Sequence, residues 1–175
     1  MEVLVSERLR LRWLDAGDAA FILRLVNDPD WLRFIGDRGI RTPEDAAAYI
    51  ENNLLQMCRR LGFGLYLAEL RADATPVGIC GLIKRDTLED VDIGFAFLPE
   101  YRGLGYGYEA ASATLAHARR DFGLSRVVAI TTRDNERSMR LLEKLGMRYE
   151  GMTAGRDGAT PLRLYSTTEA AVCDD

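Results

Sequence analysis

The run Asp92-Ile93-Gly94-Phe95-Ala96-Phe97-Leu98-Pro99-Glu100-Tyr101-Arg102-Gly103-Leu104-Gly105-Tyr106-Gly107-Tyr108-Glu109-Ala110 carries the clearest chemistry in the chain. A strand-like stretch stops at a proline, an arginine and three alternating glycines follow, and a helix begins at once. Glycine lets the backbone turn with φ > 0 and lets a ligand approach the main chain. Free N–H groups at a new helix N-terminus attract phosphate. Residues 102–107 therefore read as a cradle for a phosphate-bearing cofactor. A dinucleotide reading competes, because a glycine-rich turn between strand and helix also serves NAD and Asp134 could act as the ribose-binding acid. Against an oxidoreductase stand the G-x-G-x-G spacing, the several strands ahead of the motif, and a chain too short for a typical second domain.

Other reactive residue types exclude more than they offer. Cys58, Cys80 and Cys173 are odd in number and lack CxxC spacing, which argues against a disulfide framework and a zinc site. His117 is the only histidine and lies in a helix-like run, so neither a His-rich metal site nor a Ser–His–Asp set is expected. Cys80 sits in an apolar strand with no visible base, which disfavours a covalent route through its thiol. A net charge of −4 and a pI near 5.2 argue against direct nucleic-acid binding. No run reaches the length of a membrane span, and residues 1–7 lack a basic start followed by an apolar stretch, so the cytoplasm is the expected location.

The elements that must position these residues are legible from periodicity. Arg8 to Trp13 alternates as a half-buried strand, with Leu9, Leu11 and Trp13 on one face. Asp15 can cap a helix over about 16–26, and Asn27-Asp28-Pro29-Asp30 breaks it. Trp31, Leu32, Phe34 and Ile35 follow as an irregular aromatic segment. Thr42-Pro43-Glu44-Asp45 opens a second helix to about Arg60, with Ala46, Tyr49, Ile50, Leu54 and Met57 inward. Strands over 64–70, 77–84 and about 90–98 form an antiparallel meander. A helix over roughly 105–121, a buried strand over 126–132 and a helix from Glu136 to Leu145 come next, the last capped by Asn135 and closed by Gly146. Strands over 148–154 and 161–167 flank Gly155-Arg156-Asp157-Gly158, and 168–175 reads as a frayed tail. With 175 residues and no linker, one α/β domain over 1–175 is expected: an α+β mixed sheet with helices on both faces.

Two motifs now converge. Arg102-Gly103-Leu104-Gly105-Tyr106-Gly107 fits the [Q/R]-x-x-G-x-[G/A] signature of the GNAT N-acetyltransferases, and residues 135–147 resemble that superfamily's second motif, an asparagine opening a helix that ends Lys144-Leu145-Gly146-Met147. The opening Ser6-Glu7-Arg8-Leu9-Arg10-Leu11-Arg12, and Asn135 with Ser138 three residues on, resemble the RimJ/RimL-type branch, which includes acetyltransferases of ribosomal-protein N-termini. The resemblance spans roughly 6–167. It implies about seven strands, mostly antiparallel, with a central parallel pair that splays to admit acetyl-CoA. The pyrophosphate would rest on backbone N–H groups from Arg102 to Gly107, including those of Gly103, Leu104, Gly105 and Tyr106. The pantetheine arm would bond to the strand edge near Phe97 and Leu98 and to Asn135. Arg137, Arg140 and Lys144 are candidates for the 3′-phosphate, although a solvated helix face explains them as well. A helix cap alone accounts for Asn135 too.

The implied reaction is direct attack of an amine on the thioester carbonyl, with no metal. A backbone N–H near Phe97 or Leu98 would meet the developing oxyanion. Ser138 would protonate or orient the departing thiolate. Asp92 is the first candidate for general base and Glu69 the second. Trp31, Leu32 and Phe34 would line the acceptor pocket. Peptide N-termini, polyamines, aminoglycosides and small amino compounds all occur as acceptors in related enzymes, a homodimer is common among them, and an acetyl-CoA-binding module without transfer is the remaining alternative. An α-amine with pKa of about 7.7–8 is roughly a tenth neutral at pH 7, whereas lysine, near about 10.4, is neutral to less than about one part in a thousand. A peptide N-terminus therefore needs less help from a base.

Overall fold

The computed structural model of the chain describes residues 2–155, 158 and 160–167. The tail expected at 168–175, and Arg156 and Asp157 of the connecting loop, lie outside them. Two short antiparallel strands open the chain, Glu2–Val5 (β1) and Leu9–Arg12 (β2). The alternation in β2 has the expected result, because Leu9 and Leu11 are fully buried while Arg10 and Arg12 face the other side. Four helices follow: Ala19–Val26 (α1), Pro29–Phe34 (α2), Pro43–Tyr49 (α3) and Gln56–Leu61 (α4), with a π-helical turn over Ile50–Leu55 joining the last two.

Caps set the helix starts. The Asp15 carboxylate accepts the Gly17 N–H at 2.8 Å in the turn that leads into α1. Thr42 and Asp45 form a reciprocal capping box ahead of Pro43. The aromatic segment read as irregular is α2. Asp28 accepts the Asp30 N–H at 3.1 Å, and Pro29 takes the first helical position. The residues that end α1 therefore also start the next helix.

The remaining elements are Leu65–Leu70 (β3), Pro76–Ile83 (β4), Asp92–Phe97 (β5), Tyr106–Phe122 (α5), Val128–Thr131 (β6), Glu136–Lys144 (α6), Arg148–Ala154 (β7) and Pro161–Ser166 (β8). They lie within a few residues of the ranges read from periodicity. All strands join one eight-stranded sheet ordered β1-β2-β3-β4-β5-β6-β8-β7, with β5 and β6 as the parallel neighbours. The extra strand relative to expectation is β1. It is a four-residue edge strand paired to β2 alone, so little in its own sequence marks it.

Side-chain alternation divides the core between the two faces of the sheet. Tyr66, Ala68, Cys80, Leu82, Ile93 and Phe97 pack toward α5, whereas Leu67, Ile79 and Leu98 pack beneath α1 to α4. The π-helical turn keeps Tyr49, Asn53 and Met57 on one stripe facing the sheet's central gap, because it winds more slowly than an α-helix. Among the described residues no helix is long and apolar enough to cross a membrane.

Candidate active site

β5 and β6 pair only at Asp92 and Val128, where the Val128 N–H donates to the Val91 C=O at 3.0 Å. Beyond that point the two strands separate, and a cleft of about 870 Å³ opens between them. Asp92 therefore lies at the closed vertex of the gap, and Phe97 and Thr131 lie toward its open end.

Register decides which backbone groups of β5 reach the cleft. In an antiparallel ladder the N–H and C=O of one residue point the same way and alternate along the strand. The Leu98 N–H donates to the Val77 C=O of β4 at 3.0 Å, so residues 92, 94, 96 and 98 turn their backbone toward β4. Ile93, Phe95 and Phe97 turn theirs toward the gap. Leu98 is thus unavailable as the donor expected near the strand end, and its side chain is buried under the first helices. The Phe97 C=O is held by Arg102 Nε at 2.8 Å. The N–H groups facing the open part of the cleft belong to Phe95 and Phe97.

The glycine loop lies beside this edge. Gly103 has φ of 75° and Gly105 of 87°, conformations that favour glycine. A Cβ on Gly103 would meet nothing within 4 Å, so backbone conformation rather than packing requires the glycine there. Gly105 is the N-cap of α5 and, lacking a side chain, leaves the first N–H groups of a 17-residue helix uncapped. Arg102 does not project freely toward a ligand. Its guanidinium donates to Asp30 at 2.7 Å and to Asp28 at 2.5 Å, tying the loop to the start of α2. Leu104 and Tyr106 point away from the cleft: Arg8 donates to the Leu104 C=O at 3.0 Å and lies 4.4 Å above the Tyr106 ring. Arg8 and Ser6 also hold Glu109, which fixes the first turns of α5 from the far side. Sequence reasoning did not find this strap, since its partners lie about a hundred residues apart.

On the opposite wall, the Asn135 side-chain oxygen accepts the Ser138 N–H at 3.1 Å and caps α6. Its amide nitrogen is left as a donor for a ligand. Asn135 and Ser138 are both half-buried on the cleft wall. Arg137, Arg140 and Lys144 sit at the rim beside Asp30, Glu136 and the Tyr108 ring respectively. Arg33 of α2 donates to Asp134 at 2.7 Å, so an exposed ion pair spans the mouth between α2 and the β6–α6 loop.

The two acid candidates have different surroundings. Asp92 is 1% exposed on the cleft wall, and burial pushes its carboxyl above the usual aspartate range, opposed by the charge of Arg85. Glu69 is buried on β3 against Arg10 and Arg12 and does not line the cleft. Trp31 and Phe34 line the wall, whereas Leu32 is exposed elsewhere. Cys80 lies outside the cleft against Thr114 of α5, and burial pushes its thiol up to about 12. His117 pairs with Asp121 on α5, also outside the cleft.

The cleft fits acetyl-CoA on three grounds. An uncapped helix start suits a pyrophosphate, a strand edge with outward N–H groups suits an amide-bearing arm, and the volume suits a ligand of that size. The uncharacterized N-acetyltransferase YnaD of Bacillus subtilis is 28% identical over 148 residues, covering 85% of this chain and 84% of YnaD. A GNAT-family acetyltransferase structure from Bacillus anthracis superposes with a TM-score of 0.78 at 27% identity, covering 97% of this chain and 99% of that one. RimL, a ribosomal L7/L12 α-N-protein acetyltransferase solved with coenzyme A, shares the fold with a TM-score of 0.71 at 17% identity, covering 95% and 97%. The acetyltransferase (GNAT) domain family matches residues 8–148, and the chain belongs to that family of acetyltransferases.

Proposed function

We propose that this acetyltransferase, a single domain of the RimJ/RimL-like branch, transfers acetyl from acetyl-CoA to a primary amine by direct attack, and that the acceptor is an α-amine. The observation that carries the reading is the gap between β5 and β6, with unpaired backbone on one side and the bare α5 N-terminus at its mouth. When bound, acetyl-CoA supplies the acetyl group as a thioester.

The chain's own residues would act as follows. N–H groups of the loop and of the first turn of α5 hold phosphate oxygens, with the helix dipole adding about 0.3–1 kcal/mol. The Phe95 and Phe97 N–H groups align the arm and one of them faces the carbonyl oxygen, a donor worth about 10²–10³ in rate. Asp92 at the vertex accepts the amine proton, directly or through water. Its raised pKa makes it a stronger base than an ordinary aspartate. The N–C bond forms as the C–S bond breaks, and Ser138 orients or protonates the departing sulfur. An α-amine suits this modest base because a useful fraction is already neutral at pH 7. RimL's N-terminal protein acceptor supports the same class of amine.

The test is thiol release from acetyl-CoA across peptides with free N-termini and small amines. Turnover of α-amines with discrimination against lysine side chains is expected. Activity confined to polyamines or aminoglycosides would remove the α-amine assignment.

A further inference from the structure

The acceptor half of the cleft is taken as the part away from the glycine loop, toward the vertex at Asp92. Arg38, on the loop between α2 and α3, lines this half together with Tyr49, Asn53, Arg85 and Asp92. The other arginines on the cleft wall are paired: Arg33 with Asp134, Arg85 with Asp92, Arg102 with Asp28, Arg137 with Asp30 and Arg140 with Glu136. Arg38 has no carboxylate partner among the described residues, although its chain neighbour Asp37 is engaged by Arg41. Its Nε is shielded from solvent and has no hydrogen-bond acceptor among the described residues. Arg38 as a whole is half-buried, and a guanidinium is a donor only that keeps its charge, so a shielded Nε without an acceptor on the cleft wall suits an anionic oxygen.

A second guanidinium, that of Arg85, lies on the wall of the same cleft. Arg85 uses Nε to hold both oxygens of Asp92, which leaves its two terminal nitrogens without an acidic partner among the described residues. Both arginines act on the same phenol: burial pushes Tyr49 up, and the charges of Arg38 and Arg85 oppose the shift. The Tyr49 hydroxyl thus marks a place where both positive charges are felt, on the wall that also carries Asp92.

We infer that the acceptor carries a carboxylate close to its reacting amine, that Arg38 with Arg85 and Tyr49 binds this carboxylate, and that Asp92 receives the amine. The inference rests on the transfer reading above and narrows its substrate class. Free α-amino acids and peptides beginning with an acidic residue share this chemistry. Polyamines and aminoglycosides do not, because their extra ammonium groups would meet two guanidinium groups.

The experiment uses matched acceptors with the full-length protein: peptides beginning with Glu against Gln and Asp against Asn, and free amino acids against their amides. Rates are expressed per neutral amine, and acceptor affinity for the CoA-loaded protein is measured by calorimetry. The acid member of one of these series should be favoured by about 10–100-fold in kcat/KM and in affinity, the range of a charge-assisted hydrogen bond. Which series shows it separates free amino acids from acidic peptide ends. Arg38→Gln should bring the ratio toward one, mainly through KM, and Arg38→Lys should restore part of it. Turnover without acid preference in any series overturns the carboxylate site, as does a preference that Arg38→Gln leaves intact. Acid-selective affinity that Arg38→Gln abolishes, with no turnover, leaves the carboxylate site standing and counts against the transfer reading alone.

Discussion

Arg85 clamps Asp92: its Nε lies 3.1 Å from one carboxylate oxygen and 3.0 Å from the other, at the point where β5 and β6 still pair. The clamp fixes the acid at the vertex of the cleft. Arg85 also opposes, without cancelling, the upward push of burial on the Asp92 pKa.

Asp92→Asn should lower kcat/KM by about 10²-fold, the lower end for loss of a general base, because part of an α-amine is already neutral. In the wild type, log kcat/KM should rise with slope two below the Asp92 pKa and slope one between it and the amine pKa. The variant should show slope one throughout. A pH–rate profile that is identical in both removes Asp92 as the base.

The same group makes a stability prediction of definite sign. Its folded pKa lies above the unfolded value of about 3.9, so the native state holds the proton more tightly. Its contribution is full below that unfolded value and is lost as pH rises through the raised folded value. Urea unfolding of the wild type relative to Asp92→Asn should show this decline just above the ordinary aspartate range. No relative change there would contradict the raised pKa.

Glu69→Gln should separate a structural acid from a catalytic one. Glu69 sits between Arg10 and Arg12, with Arg12 Nε at 2.9 Å, and does not line the cleft. Its loss should cost on the order of 2–3 kcal/mol, less than the roughly 3–5 of a fully buried pair because Arg10 is 40% exposed. Activity per folded molecule should not change. A large fall in kcat at unchanged stability would exchange the roles of the two acids.

Gly105→Val places a β-branched side chain at φ 87°, with its Cβ 3.1 Å from Arg8 Nη2. The strain should cost about 1–3 kcal/mol and disturb the cradle where phosphate binds. Acetyl-CoA affinity by calorimetry should fall by at least about tenfold while the circular dichroism spectrum is retained. Unchanged affinity would refute the phosphate cradle.

Asn135→Asp keeps the oxygen that caps α6 and removes the amide donor of a residue that lines the cleft. Thermal stability should therefore hold, whereas Asn135→Ala should lose about 0.5–2 kcal/mol. Both variants should bind acetyl-CoA more weakly. If Asn135→Asp binds normally, the residue is a cap alone.

The glycine loop, the long helix after it, the capped α6 and all strands but β1 were legible because each depends on local rules: glycine at positive φ, an Asn or Asp cap, alternation in a strand. Where local rules overlap, the reading fell short. Asn27-Asp28-Pro29-Asp30 reads as a break, yet Asp28 caps α2 and Pro29 begins it, and nothing in that tetrapeptide alone separates the two outcomes.

The sequence by itself pointed to the family, to the glycine loop as a candidate cradle and to the order of elements apart from β1 and α2, since these rest on residues close together in the chain. The tertiary structure decided the rest. Asp92 and Glu69 are both acids on central strands, and only register and neighbouring strands place one on the cleft wall and the other between two arginines. Pairing of Leu98 with Val77 decided that Phe95 and Phe97, rather than Leu98, present N–H groups to the gap. That Arg38 has no carboxylate partner among the described residues depends on where those carboxylates end up, and only the folded arrangement sets that.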